Sequence, residues 1–168
     1  SDMSDGLGGG WEKGRILEIM KDSRVGSYGV VALVMALLGK FVLLCALPTA
    51  LVPVALVAGH AVSRFAATTL LMFMDYVRED LLAKAKPLAT RLGWGQFLVA
   101  AVFAGLPLVL LPAQSVVVSL VLVALVTLWL VRLLKRWLGG YTGDCLGATQ
   151  QLAELAFYLG LLAQWPRG

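Results

Sequence analysis

Three stretches of this chain carry side chains able to do chemistry together. The first is Asp2-x-x-Asp5-Gly6, followed by Gly8-Gly9-Gly10. Carboxylates three residues apart share a helix face or one wall of a turn. Hard oxygen donors at that spacing suit Mg²⁺, which keeps several waters and takes substrate phosphates as its other ligands. The glycines permit close backbone approach to a phosphate. A flexible acidic loop is the plain alternative, and a Walker A loop is excluded because Gly-Lys-Ser/Thr is absent. The second stretch is Asp22-Ser23-Arg24-Val25-Gly26-Ser27-Tyr28-Gly29, with an acid, two hydroxyls and an arginine just ahead of an apolar run. A helix N-terminus beside Arg24 is a good anion site. N-capping by Ser27 with interfacial anchoring is the alternative. The third is Gly139-Gly140-Tyr141-Thr142-Gly143-Asp144-Cys145-Leu146-Gly147. Its glycines break a helix and leave Asp144 at the start of the next run, either completing a metal or phosphate site or acting as N-cap.

The elements that must position these residues are apolar. Of 168 residues, 60% are hydrophobic and 14% charged, and the mean hydropathy is +0.85. Soluble domains carry nearer a quarter charged residues, so composition predicts an integral membrane protein. Five apolar runs, roughly 28–47, 50–74, 94–112, 115–134 and 146–165, are each near the ~20 residues a helix needs to cross the hydrocarbon. Pro48 and Pro112 fall at very short connections, which predicts two helical hairpins. Residues 11–22 predict a short interfacial helix with Ile16, Leu17 and Met20 on one side and Trp11 at headgroup level. The expected fold is all-α: a polytopic transmembrane bundle of about five spans plus that short helix. It forms one integral membrane domain over 1–168, with the motif region in 1–27 and the spans in 28–165.

Charge placement orients the bundle. Eleven basic residues (Lys13, Arg15, Lys21, Arg24, Arg78, Lys84, Lys86, Arg91, Arg132, Lys135, Arg136) fall on one side if each run crosses once. The two opposite loops carry none. The positive-inside rule makes the charged side cytoplasmic and places Arg167 outside. Nine of ten acids share that side (Asp2, Asp5, Glu12, Glu18, Asp22, Asp75, Glu79, Asp80, Asp144). The net charge of +4 is explained by this topology rather than by nucleic-acid binding. Cys45 and Cys145 read as small reduced core residues, not a disulfide or zinc site. Lys40, His60, Arg64 and Glu154 are inside runs and need partners. An Arg64–Glu154 pair and a neutral, core-packed His60 are the expectations.

These motifs resemble the cobalamin synthases, the adenosylcobinamide-GDP ribazoletransferases of late vitamin B12 assembly. Ser1-Asp2-Met3-Ser4-Asp5-Gly6 resembles the second half of that family's His-x-Asp-Gly-x-x-Asp-x-x-Asp-Gly signature. Residues 17–29 resemble its Glu-Ile-Met-Arg-Asp-Ser-Arg-x-Gly-x-x-Gly block. Lys40, Ser63-Arg64, residues 139–148 and Glu154 follow in matching order. The opening His-x-Asp-Gly is absent, which implies that this chain lacks an N-terminal part. The resemblance implies a Mg²⁺-dependent enzyme of the bacterial inner membrane, its active face cytoplasmic. Such an enzyme joins adenosylcobinamide-GDP to α-ribazole or its 5′-phosphate and releases GMP. On that basis Asp2, Asp5, Asp22 and Asp144 are expected metal ligands, with Asp5, Asp22 and Asp144 as catalytic acid–base candidates. Lys21, Ser23, Arg24, Ser27 and Thr142 are expected to contact substrate phosphates. A homo-oligomer is compatible with this reading. The alternatives are a CDP-alcohol phosphotransferase-like enzyme, whose pattern departs after Asp5-Gly6, and a membrane transporter, against which the one-sided acids argue.

Overall fold

The computed structural model describes residues 1–77 and 92–163. Arg78, Glu79, Asp80, Lys84, Lys86 and Arg91, with the C-terminal Trp165 and Arg167, lie outside the described residues, so their expected sides of the membrane are not addressed. The described residues form helices joined by short turns. These are α1 (Asp2–Gly9), α2 (Lys13–Lys21), α3 (Ser27–Cys45), α4 (Val52–Phe73), α5 (Trp94–Gly105), α6 (Ala113–Trp137) and α7 (Gly143–Leu162). Ser27–Cys45, Thr49–Phe73 and Ala113–Trp137 are long and apolar enough to cross a membrane. The chain is a polytopic helical membrane bundle, with three such helices where the sequence predicts about five.

The other two runs fall short for different reasons. Run 94–112 is not one α-helix. It ends at Gly105 and continues as a 3₁₀ segment, Leu106–Leu110. Pro107 lacks the N–H that an α-helical bond requires, and its ring crowds the preceding turn. α7 is long enough, but it carries Gln150, Gln151 and Glu154. It is the central helix, packed chiefly against α6 and α4 and also touching α3 and α1. A helix shielded by its neighbours does not need an apolar surface of its own.

Small residues make that packing close, as in other membrane bundles. Ala55, Ala58 and Ala66 of α4 meet Ala153, Ala156 and Phe157 of α7 in one buried cluster. Gly160 crosses α6 so closely that a Cβ there would overlap the Ser119 backbone, and the Ser119 hydroxyl donates to the Phe157 carbonyl at 2.9 Å. A second cluster underlies the polar end of the bundle. It joins Met3, Ile16 and Met20 of the first two helices to Leu70 and Met74, Leu130, Leu134 and Leu138, Tyr141 and Cys145. The predicted face of the interfacial helix is observed: Ile16 and Met20 are buried and Trp11 is exposed. Phe97 of α5 stacks on Phe65 of α4 at a centroid distance of 5.0 Å.

The buried acid is paired differently from expectation. Glu154 accepts from Lys40 Nζ at 2.7 Å and from the Tyr158 hydroxyl at 2.8 Å. Arg64 is exposed on α4. His60 is not core-packed: its side chain is about half exposed, with Nε2 3.9 Å from Glu154. Arg64 and Glu154 are both plausible partners along the sequence, but α3 rather than the Arg64 face of α4 presents its cation to Glu154.

Candidate active site

The Asp2-x-x-Asp5 stretch is helical, and Asp5 is buried. Its carboxylate reaches across to the N-terminus of α3. The Gly26 N–H donates to Oδ2 at 2.8 Å and the Gly29 N–H to Oδ1 at 2.8 Å. The first N–H groups of a helix have no intrahelical acceptor, so Asp5 acts as a cap supplied from another helix. Glycine at both positions leaves room for the Asp5 carboxylate, which a Cβ on Gly26 or Gly29 would displace. Ser27 is the first residue of α3, not its N-cap, and no side chain of its own caps the helix. The N–H groups of Ser27 and Tyr28 find no backbone acceptor among the described residues, as is usual for the first turn of a helix.

A cavity of about 580 Å³ opens at this helix end, lined by Asp5, Gly9, Arg15, Glu18, Ile19, Asp22, Arg24, Val25, Gly26, Ser27 and Tyr28. That is within the size range of small-molecule sites. Asp22 grips Arg24 through several bonds. The guanidinium Nη2 donates to Oδ2 at 2.8 Å, Nε to both oxygens at 3.1 Å, and the Arg24 N–H to Oδ1 at 3.0 Å. The Arg24 side-chain hydrogen bonds, then its backbone one, hold the Asp22 carboxyl down to about 2, and the same pair raises the Arg24 guanidinium. Arg15 donates to Glu18 at 2.8 Å.

Asp144 is elsewhere, in the first turn of α7. Its loop is pinned from the side: the Tyr141 N–H donates to the Asp75 carbonyl at 3.0 Å and the Val77 N–H to the Tyr141 carbonyl at 2.8 Å. Burial pushes the Asp144 carboxyl up, and the nearby charge of Asp2 pushes it further. Thr142, not Asp144, occupies the N-cap position of α7.

The structure therefore brings Asp5, Asp22, Arg24 and Ser27 to one cavity, and Asp2 to the neighbourhood of Asp144. Among the described residues no three or more carboxylate, His or Cys side chains form a metal-binding group, so the four aspartates do not converge on one point. Lys21 and Ser23 are exposed but do not line the cavity. Thr142 is fully buried, with its hydroxyl 3.3 Å from Cys145 Sγ, and does not face it. Arg15 and Glu18 line the cavity although sequence reasoning treated them only as the polar face of a surface helix. Their spacing held no signal, because what brings them in is the packing of α2 on α1.

The cavity holds carboxylates of the type a divalent cation takes, but both Asp5 oxygens accept from Gly26 and Gly29 and the Asp22 oxygens from Arg24. Mg²⁺ asks for one or two carboxylates and completes its shell with waters and substrate phosphates. The cavity wall sets three carboxylates (Asp5, Glu18, Asp22) against two guanidiniums (Arg15, Arg24). A phosphate-bearing ligand there needs added positive charge. Asp2 and Asp144 form a second pair of carboxylates near enough to repel.

A family model described as cobalamin-5-phosphate synthase matches residues 1–162. The chain is 49% identical to an adenosylcobinamide-GDP ribazoletransferase of Shewanella amazonensis, over 98% of this chain and 65% of that protein. It is 44% identical to one of Polaromonas sp. (96% and 64%) and 46% identical to one of Vibrio cholerae (97% and 63%). It thus spans slightly less than two thirds of the length of these relatives. No solved structure matches it.

Proposed function

Because the chain belongs to the cobalamin-5-phosphate synthase family, we propose that it forms the catalytic part of an adenosylcobinamide-GDP ribazoletransferase. Its substrates are adenosylcobinamide-GDP and α-ribazole or α-ribazole 5′-phosphate, and it releases GMP. The observation that supports this reading is the cavity at the Asp5-capped N-terminus of α3, where Arg24 and Ser27 face the carboxylates of α1 and α2.

In the reaction a ribose hydroxyl attacks the phosphorus attached to cobinamide. A new P–O bond forms, the P–O bond to GMP breaks, and the hydroxyl proton passes to a carboxylate. Arg24 and the Ser27 and Tyr28 N–H groups bind and orient the phosphates. Asp22 holds the guanidinium of Arg24 in place. Asp5 fixes the end of α3 through its two backbone hydrogen bonds, so its role is first to position the phosphate donors. Asp2 and Asp144 are the ligands assigned to Mg²⁺, with Asp5 and Asp22 on the cavity side. When bound, the metal neutralises charge on the departing phosphate. Lys13, Arg15, Lys21 and Arg24 at this end, with Arg132, Lys135 and Arg136 at the end of α6, support a cytoplasmic active face in the bacterial inner membrane.

The test is nucleotide release by the whole protein in membranes supplied with adenosylcobinamide-GDP, α-ribazole and Mg²⁺. GMP in step with cobamide product is expected, and a large loss in Asp144→Asn. CMP release from a CDP-alcohol instead, or substrate uptake into vesicles without nucleotide release, overturns the reading.

A further inference from the structure

Within this chain α3 meets its neighbours along one edge, against α7 and α1, with Leu43 and Leu44 packed on the core. Of its residues only Gly29, in the first turn, is buried. Burial would also contribute little, since lipid tails are as apolar as the side chains themselves. Two specific polar contacts join α3 to these neighbours. One is the Asp5 carboxylate at its N-terminus. The other is about 20 Å along its axis, where Lys40, the single charged residue of α3, meets Glu154 of α7 at 2.7 Å.

We propose that Lys40 and Glu154 are positioning residues: their ion pair clamps α3 onto α7 inside the bilayer and so keeps the Asp5-capped end of α3 beside the cavity. The surroundings are built for such a clamp. The Glu154 side chain is 2% exposed and that of Lys40 17%. The Tyr158 hydroxyl holds the second carboxylate oxygen. Tyr158 reaches it because Gly59 of α4 leaves room, and a Cβ at Gly59 would run into the tyrosine ring. Gly39, next to Lys40, lets the helices approach, since a Cβ there would sit 3.2 Å from Leu155. Neither charge can be resolvated by lipid if the other leaves, so the pair enforces one register of α3 on α7. Apolar contact alone would tolerate several.

The clamp is a statement about helix packing, and only its kinetic consequence rests on the function proposed above. In the whole protein in membranes, with Cys45→Ala as background, Gly39→Cys and Leu155→Cys report the α3–α7 contact by disulfide formation under mild oxidation. Lys40→Met is expected to cut cross-linking about fivefold or more and to raise KM for the nucleotide substrate about tenfold, with kcat changed less than about threefold, as for loss of ground-state positioning. The exchange of Lys40→Glu with Glu154→Lys keeps the pair reversed and is expected to restore both readouts. The double variant Lys40→Met with Glu154→Leu leaves no buried charge. It is expected to insert normally yet cross-link poorly. Parent-like cross-linking and KM in both Lys40→Met and the double variant overturn the proposal, as does an exchange variant that recovers neither. Weakened cross-linking in Lys40→Met, in a protein whose parent form releases no GMP, upholds the clamp and removes the proposed function instead.

Discussion

Two ion pairs of nearly equal length lie in opposite surroundings in this chain. At the polar end, Asp22 and Arg24 meet at 2.8 Å with side chains 41% and 88% exposed. In the bundle, Lys40 and Glu154 meet at 2.7 Å, nearly enclosed. Water can replace either member of the exposed pair, so such pairs stabilise little, and Arg24 is free to trade a carboxylate for a phosphate. Lipid can replace neither member of the buried pair. The contrast separates a pair open to solutes from a pair enclosed by the bundle, and neither separation distance nor residue type would have made it.

The largest effect is expected at the buried pair. Glu154→Leu leaves Lys40 without its partner and should cost about 3–5 kcal/mol, the usual result of breaking a buried pair. Unfolding in mixed micelles measures it. The companion double variant Lys40→Met with Glu154→Leu should recover most of that loss, and failure to recover would mean that the two charges do not act as a pair. Next is the cap. Asp5→Ala removes two charge-assisted bonds and should cost about 2–3 kcal/mol, with turnover falling in the same variant. Gly29→Ala, which forces a methyl into the same carboxylate, should cost about 1–3 kcal/mol. A stable but inactive Asp5→Ala would instead give Asp5 a direct part in chemistry.

A smaller, pH-dependent effect concerns Asp144. Its folded pKa is raised above the ordinary 3.8 by burial and by Asp2. The folded state then binds the proton more tightly than the unfolded state, so stability declines as pH rises from 3.8 through the folded pKa. Asp2→Asn should lower that pKa part-way, because burial remains, and should flatten the decline. Carboxyl ¹³C titration in detergent checks both. The smallest effect is expected for Arg24→Ala. The Asp22 carboxyl should return from about 2 toward 3.8. The small stabilisation lost as pH falls through that window should disappear with no measurable change in unfolding at neutral pH. KM for the nucleotide should nevertheless rise. A marked loss of stability at neutral pH would break the contrast between the two pairs.

Much of this was legible in the residues. Runs of 20 apolar residues, prolines at the short turns and glycines before α7 mark helix limits by local chemistry, and the observed α3, α4 and α6 follow them closely. Run 94–112 is divided into an α-helix and a 3₁₀ segment at Pro107, a break that hydropathy does not register. The site was legible as a list of polar residues on one face but not as an arrangement. Nothing along the chain says that Asp5 would be consumed by Gly26 and Gly29, that Thr142 would turn inward to Cys145, or that Arg15 would line the cavity. The Arg64–Glu154 expectation failed for the same reason: depth in the bilayer can be counted from sequence, but the rotation of a helix about its axis cannot.

The sequence by itself determined that this chain lives in a membrane, that its charges gather at one end and which motifs its family carries, because composition, hydropathy and spacing are local properties. Only the tertiary structure decided which carboxylate caps a helix, which meets another carboxylate and which is locked to a lysine inside the bundle. Those choices depend on how α1, α3 and α7 meet. Within hydrocarbon that meeting is directed less by apolar burial, which is nearly indifferent there, than by a few close glycine contacts and paired polar groups.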